Sequence, residues 1–300
     1  MKRIGAFVVV LLVGVSAIYF AERRHDSTPV SANAVVQVAA DAQRDMTRLP
    51  MRLTRLSDEE EIAIGKELAE QYSMNEDNLT PEGRALEAYL ARVGRILAAR
   101  AHRHLPYSFH LIPNRSVINA FSLPGGAVYV EEGLLDLMTS EDQLASVIGH
   151  EIEHIDHYHC AERVQVEAQL RNLKLGVIGE LVQIPISVWE AGYNKDEELE
   201  ADREGIRLAV LGGYSPFGAV SLFEKFAKLN REYVIHAQSP EEELSELAIQ
   251  SLEGYFRSHP QPSERLAQAN ILIAQEKWQE RKAQRPFHIE YEVRNGQYVK

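Results

Sequence analysis

IGHEIEHIDHYHC, residues 148–160, sets four histidines and three acids into thirteen positions. Within it, His150-Glu151-Ile152-Glu153-His154 has the form HExxH. Positions four apart share one face of an α-helix, about 6 Å apart along its axis. Two imidazoles so placed can meet one zinc ion at about 2.0–2.1 Å each. Glu151 is turned by about 100° from His150, where it can take a proton from water beside such an ion. The string alone occurs by chance too often to decide, so its surroundings carry the reading. Leu144, Val147, Ile148, Ile152 and Ile155 recur at helical steps and predict one helix from Glu141 through about Val166.

A catalytic zinc needs a third protein ligand and one open position. A metzincin would carry Gly at 157 and His at 160; here those residues are His157 and Cys160. His157 lies about 10 Å beyond His150 on a straight helix, too far to share one tetrahedral ion. His159 points to a different face. Glu198-Leu199-Glu200-Ala201-Asp202 stands on its own predicted helix, Glu197–Leu211. Glu198 completes a two-His, one-Glu set of the thermolysin kind. Asp202, one turn on, can bind the free ring nitrogen of a ligating histidine and fix its tautomer. Glu197 and Glu200 are read as facing solvent, and Glu153 as solvent-facing or ion-paired. Cys160 is the only cysteine, so no intrachain disulfide forms, and it reads as a small buried apolar side chain.

Hydrophobic content of 45% and charged content of 25% are those of a globular protein. A net charge of −12 with no basic run excludes nucleic acid as a partner. Lys2 and Arg3 precede an uncharged, mostly apolar run, Ile4–Ala21. Residues 1–21 are therefore expected to be a signal peptide or a membrane anchor, directing export. Residues 22–50 read as a linker, 51–285 as the main domain and 286–300 as a strand-like tail with a turn at Asn295-Gly296. Ser57-Asp58-Glu59-Glu60 is a capping box, and Thr80-Pro81 opens a second helix. Strands are predicted over 107–112, 117–121 and 127–130. Ser239-Pro240-Glu241 and Ser263 are expected to start later helices. The layout is α+β and mostly helical, with a small sheet beside the HExxH helix.

Several stretches together resemble the HExxH metallopeptidases of family forty-eight, which include the CAAX prenyl proteases and bacterial heat-shock membrane proteases. They are Glu61–Gly65, Asn119–Gly126, Gly133-Leu134-Leu135, His150–His159, Glu198–Asp202 with Gly205, and His259-Pro260 followed by Arg265. They occur in family order over roughly 57–275, and the periplasmic branch concerned with outer-membrane quality control is most similar. The resemblance implies a thermolysin-like (gluzincin) domain with one zinc per chain. His150, His154 and Glu198 match the zinc ligands and Glu151 the general base. Asn119, Ala120, Phe121, Gly125, Gly126, Ala127 and Val128 match a strand with an exposed edge, on which an extended polypeptide substrate pairs by strand addition. The two glycines would let its backbone come close. Asp202, His259, Arg265 and His159 match residues around the metal.

Either His259 or His236, across a segment 231–258 longer than usual, could take the fourth zinc position and hold the enzyme off. Oxyanion help could come from Arg265 or His259. The expected function is zinc-dependent hydrolysis of exported, misfolded or assembly-stalled envelope proteins, facing the periplasm. The segment 1–21 would hold the inner membrane if uncleaved. The rival reading is a membrane-tethered assembly factor or chaperone-like binder with a structural or self-inhibited zinc site.

Overall fold

Two capping signals in the sequence set the first helices. The computed structural model describes residues 55–70, 79–174, 177–181, 183–185, 187–236, 259–286, 292–294 and 297–299. The Ser57 hydroxyl accepts from the Glu60 N–H, and the Glu60 carboxylate accepts from the Ser57 N–H, opening helix α1 (Asp58–Ala69). Thr80 caps α2 (Pro81–Ala98), whose first residue is a proline with no N–H to lose.

Three strands come next: β1 (Ser108–Ile112), β2 (Ala120–Ser122) and β3 (Ala127–Glu131). The central strand β3 runs parallel to β1 and antiparallel to β2. Gly125 and Gly126 turn the chain between β2 and β3 at φ of 82° and 124°. A Cβ on Gly125 would sit 2.6 Å from the Ile62 Cα, so the close approach these glycines permit includes α1.

After α3 (Glu132–Asp136), Ser140 caps α4 (Glu141–Asp156) by accepting from the Gln143 N–H. Helix α4 runs through the main core and packs on α2, β2, α8 (Lys195–Leu211) and α9 (Phe217–His236). The predicted run through Val166 is broken at His157-Tyr158, and α5 (His159–Leu170) starts anew. Tyr158 takes the left-handed conformation, φ 63°, costly for a residue with a side chain. The guanidiniums of Arg55 and Arg103 lie over its ring at 3.7 and 3.8 Å and hold it there. Arg103 is itself fixed by the buried Glu61 carboxylate and the Ile155 carbonyl.

Short helices α6 (Ile178–Leu181) and α7 (Ser187–Glu190) lead to α8, which begins two residues earlier than expected because Asn194 and Glu197 form a second capping box. Helix α10 (Pro262–Gln275) starts at Pro262, with Gln261 rather than Ser263 at the N-cap. Strands β4 (Glu292–Arg294) and β5 (Gln297–Val299) pair antiparallel with Arg294 opposite Gln297, which leaves two residues between them. The expected segments 1–21 and 22–50, the helix at Ser239-Pro240-Glu241 and the strand residues 287–291 lie outside the described residues. Among the described residues no helix is long and apolar enough to cross a membrane.

The architecture is α+β, mostly helical, with a small mixed sheet. One close helix–helix contact involves two glycines. Gly149 on α4 faces Gly205 on α8, where added Cβ atoms would lie 2.6 Å from the Gly205 carbonyl oxygen and from the His150 nitrogen. With no side chains between them, the two helices meet backbone to backbone.

Candidate metal centre

The close contact of α4 and α8 brings the two halves of the motif together. His150 Nε2 and His154 Nε2 face each other at 3.0 Å. Glu198 Oε2 lies 3.4 Å from the first, and Glu198 Oε1 3.7 Å from the second. One atom from each of these three residues falls within 4.8 Å of the others, and all three residues are buried. Each is held from behind. His150 Nδ1 donates to Asp202 Oδ1 at 2.9 Å, and Arg265 donates to both Asp202 oxygens at 2.7 and 2.6 Å. His154 Nδ1 shares a 2.9 Å hydrogen bond with His159 Nδ1, and His159 Nε2 lies 3.5 Å from Glu200 Oε2. Glu198 Oε1 accepts from the Tyr193 N–H at 2.8 Å, while the buried Glu198 Oε2 faces His150 Nε2 at 3.4 Å.

The charges of the centre fit a cation. Burial opposes charge on His150, but hydrogen bonds to Asp202 and Glu198 outweigh it and push its pKa up to about 10. Burial, then the charges of His150 and His159, drive His154 the other way and keep it neutral. Glu198 is also opposed by burial, yet the charge of His259 and the hydrogen bond to His150 hold it below the usual carboxylate range. One neutral imidazole, a second that attracts positive charge and a buried ionised carboxylate facing them make a donor set for a divalent metal.

Glu151 lies beside this set, 3% exposed, and burial lifts its pKa to about 7 against the opposing charge of His150. Ser122, at the end of β2, hydrogen-bonds its carboxylate. A narrow cleft opens here, walled by Ala120, Val147, Ile206 and Phe223 around His150, Glu151 and His259. His259 Nε2 stands 3.7 Å from Glu198 Oε2, and its ring is 5.9 Å from that of His150.

Some sequence-predicted residues stand elsewhere. Glu131 N–H to Asn119 and Leu123 N–H to Ala127 bonds flank the Phe121–Tyr129 pair. The backbone groups of Asn119 and Phe121 therefore point at β3, and those of Ala120 point away from it, to the cleft. Ala127 and Val128 belong to the central strand, paired on both sides, and Gly125 and Gly126 pack by α1 and residues 106–107, so these four offer no open edge. Arg265 is committed to Asp202 and is a clamp rather than an oxyanion donor. Glu200, read as solvent-facing, is drawn down to about 2 by its hydrogen bond to His159. Glu153 is buried and ion-paired with His157 at 3.2 Å. Tyr193 and Gly149 had no motif to mark them, and Ser122 and Gly205, though inside the matched stretches, had no role read for them.

The helix-borne histidine pair, the glutamate from a second helix and the adjacent acid form a group that could hold a metal ion, the pattern of a metallopeptidase centre. The chain belongs to Peptidase family M48, whose model matches residues 84–272. It is 31% identical over 170 residues to the mitochondrial metalloendopeptidase OMA1 of Arabidopsis thaliana, covering 54% of this chain and 31% of that protein. It is 27% identical over 261 residues to the beta-barrel assembly-enhancing protease of Yersinia pestis, covering 80% and 50%. Against the protein of that name in Escherichia coli (strain K12) it is 30% identical over 204 residues, covering 61% and 38%. The chain thus spans about a third to a half of the length of these curated relatives.

Proposed function

We propose that the protein is a zinc-dependent endopeptidase acting on exported polypeptides of the bacterial envelope. The observation that carries this reading is the convergence of His150, His154 and Glu198 with Glu151 beside them at the floor of one cleft. These three residues would hold a single zinc ion, which supplies Lewis-acid polarisation of the scissile carbonyl and a lowered pKa for the attacking water. Glu151, poised near neutral pH, takes the proton of that water and hands it to the leaving amine. The outward backbone N–H and carbonyl of Ala120 pair with an extended substrate as an added strand. Asp202, clamped by Arg265, keeps the His150 proton on Nδ1 and so frees Nε2 for the metal.

The envelope assignment rests on the apolar run Ile4–Ala21 and on relatives named beta-barrel assembly-enhancing proteases. Misfolded or assembly-stalled envelope proteins are the substrates this suggests. One observation favours a second reading, a self-inhibited site: His259 Nε2 faces Glu198 and borders the cleft. In that reading His259 takes the fourth metal position and His259→Ala raises turnover.

The test is to measure bound zinc and follow cleavage of an unfolded protein by wild type, chelated wild type and Glu151→Gln. Zinc-dependent cleavage lost in the variant supports the peptidase. A zinc-replete wild type with no turnover, matched by an inactive His259→Ala, supports a binder instead.

A further inference from the structure

Tyr193 precedes the cap of α8 and belongs to no motif, yet it touches the metal centre in two ways. Its backbone N–H donates to Glu198 Oε1 at 2.8 Å. Its ring stacks on the His154 imidazole, with centroids 4.0 Å apart and planes inclined by 18°. The Arg163 guanidinium lies over the same ring at 4.4 Å. A face covered by a parallel imidazole has no room for it, so the ring is held between the two. Arg163 is anchored in turn by donating to the Val188 carbonyl. The Tyr193 hydroxyl is 3.1 Å from Cys160 Sγ, which is 3.6 Å from Ser122 Oγ. Ser122 hydrogen-bonds Glu151, so a buried chain of contacts joins the ligand side of the centre to the acid.

We infer that Tyr193 is a positioning residue, a clamp that sets the ring plane of His154 and leaves Glu198 Oε2 facing His150. This rests on the reading of His150, His154 and Glu198 as metal ligands. The clamp works by removing freedom from both ligands. The His154 ring can turn about its χ2 bond, and its single hydrogen bond to His159 restrains the position of Nδ1 more than the plane of the ring. A parallel aromatic face at 4.0 Å removes the tilted alternatives. With Oε1 of Glu198 occupied by the Tyr193 N–H, Oε2 is the oxygen left to face His150 Nε2 at 3.4 Å. Every side-chain variant keeps that N–H, so substitution isolates the contribution of the ring.

The test is zinc affinity of the full chain, by competition with a chromophoric chelator, for wild type, Tyr193→Phe and Tyr193→Ala. Loss of a group that orients a ligand weakens metal binding by about 10- to 100-fold, which is the expectation for Tyr193→Ala. Tyr193→Phe keeps the stack and should stay within about threefold of wild type. The visible spectrum of the cobalt-substituted protein should shift in the Ala variant and not in the Phe variant. Tyr214→Leu, at a buried tyrosine beside Glu141 at the N-terminal end of α4, is the control for general destabilisation. A Tyr193→Ala affinity equal to wild type, or lowered no more than in Tyr214→Leu, overturns the clamp alone. So does an equal loss in Tyr193→Phe. Failure of wild type to bind zinc overturns the metal site itself, and the clamp with it.

Discussion

Gly205→Ala should destabilise this protein, although the same change inside most helices stabilises. Alanine is favoured over glycine in a helix interior by about 1 kcal/mol. Here the new Cβ would lie 2.6 Å from the His150 nitrogen and 2.8 Å from the Gly149 carbonyl carbon, both backbone atoms that no rotamer change can move. Relaxed carbon contacts lie at about 3.5–4.0 Å, so α4 and α8 must part by roughly 1 Å. Overpacking costs about 1–3 kcal/mol, and a clash with backbone that cannot rotate away falls in the upper part of that range, leaving a net deficit of about 1–2 kcal/mol after the helix-propensity gain. The same movement carries Glu198 away from His150 and His154, while metal–ligand distances tolerate only about ±0.2 Å. The variant should therefore lose both thermal stability, by several degrees, and zinc affinity, by more than about tenfold. Calorimetry of the apo chain and chelator competition measure the two separately. A melting temperature at or above that of wild type with unchanged zinc affinity would refute the claim that this glycine pair sets the helix spacing.

Glu151→Gln should bind zinc as tightly as wild type while peptide cleavage falls by at least about 10²-fold, measured on an unfolded protein at fixed metal content. Asp202→Asn should weaken zinc binding by about 10- to 100-fold, because an amide can offer His150 Nδ1 a donor and leave the wrong tautomer. Glu131 lies at the end of β3, 7% exposed, with one oxygen unpaired, and burial followed by the charge of Glu190 raises its pKa to about 8. Its folded pKa is above the unfolded value, so the folded state holds its proton longer and loses stability as pH rises from about 4.5 to 8. Denaturant titrations of Glu131→Gln should match wild type at pH 4 and show a growing advantage up to pH 8, at most about 1.4 kcal/mol per pH unit. An advantage independent of pH would reject a buried, titrating carboxyl.

The sequence carried the helices with chemical start signals, and it paired HExxH with a distant glutamate. Ser57 and Thr80 sit at helix starts because their side chains satisfy N–H groups that any helix leaves open, a local requirement visible without tertiary structure; Asn194 does the same for α8, whose start was expected at Glu197. The two-His, one-Glu set was legible because ligand chemistry restricts residue type and spacing. The break at Tyr158 was not, because a left-handed tyrosine is held by Arg55 and Arg103 from remote parts of the chain. That break turns α5 back and brings His159 to His154, which straight-helix geometry had pointed elsewhere. Glu200 resembles any surface acid until His159 is placed beside it. The extent of the open strand was overread for a similar reason: which of Asn119–Val128 lies at an edge depends on strand order, a property of the assembled sheet. Gly149 looks like a helix-weakening residue in sequence and Gly205 only like a matched position; the packing of α4 on α8 gives both a use.

The central claim is that one metal ion sits between His150, His154 and Glu198. Anomalous diffraction at the zinc edge from zinc-loaded crystals tests it most directly. One peak is expected, about 2.0–2.2 Å from His150 Nε2, His154 Nε2 and a Glu198 oxygen. A peak that leaves Glu198 out, or zinc bound only at other residues, would contradict it.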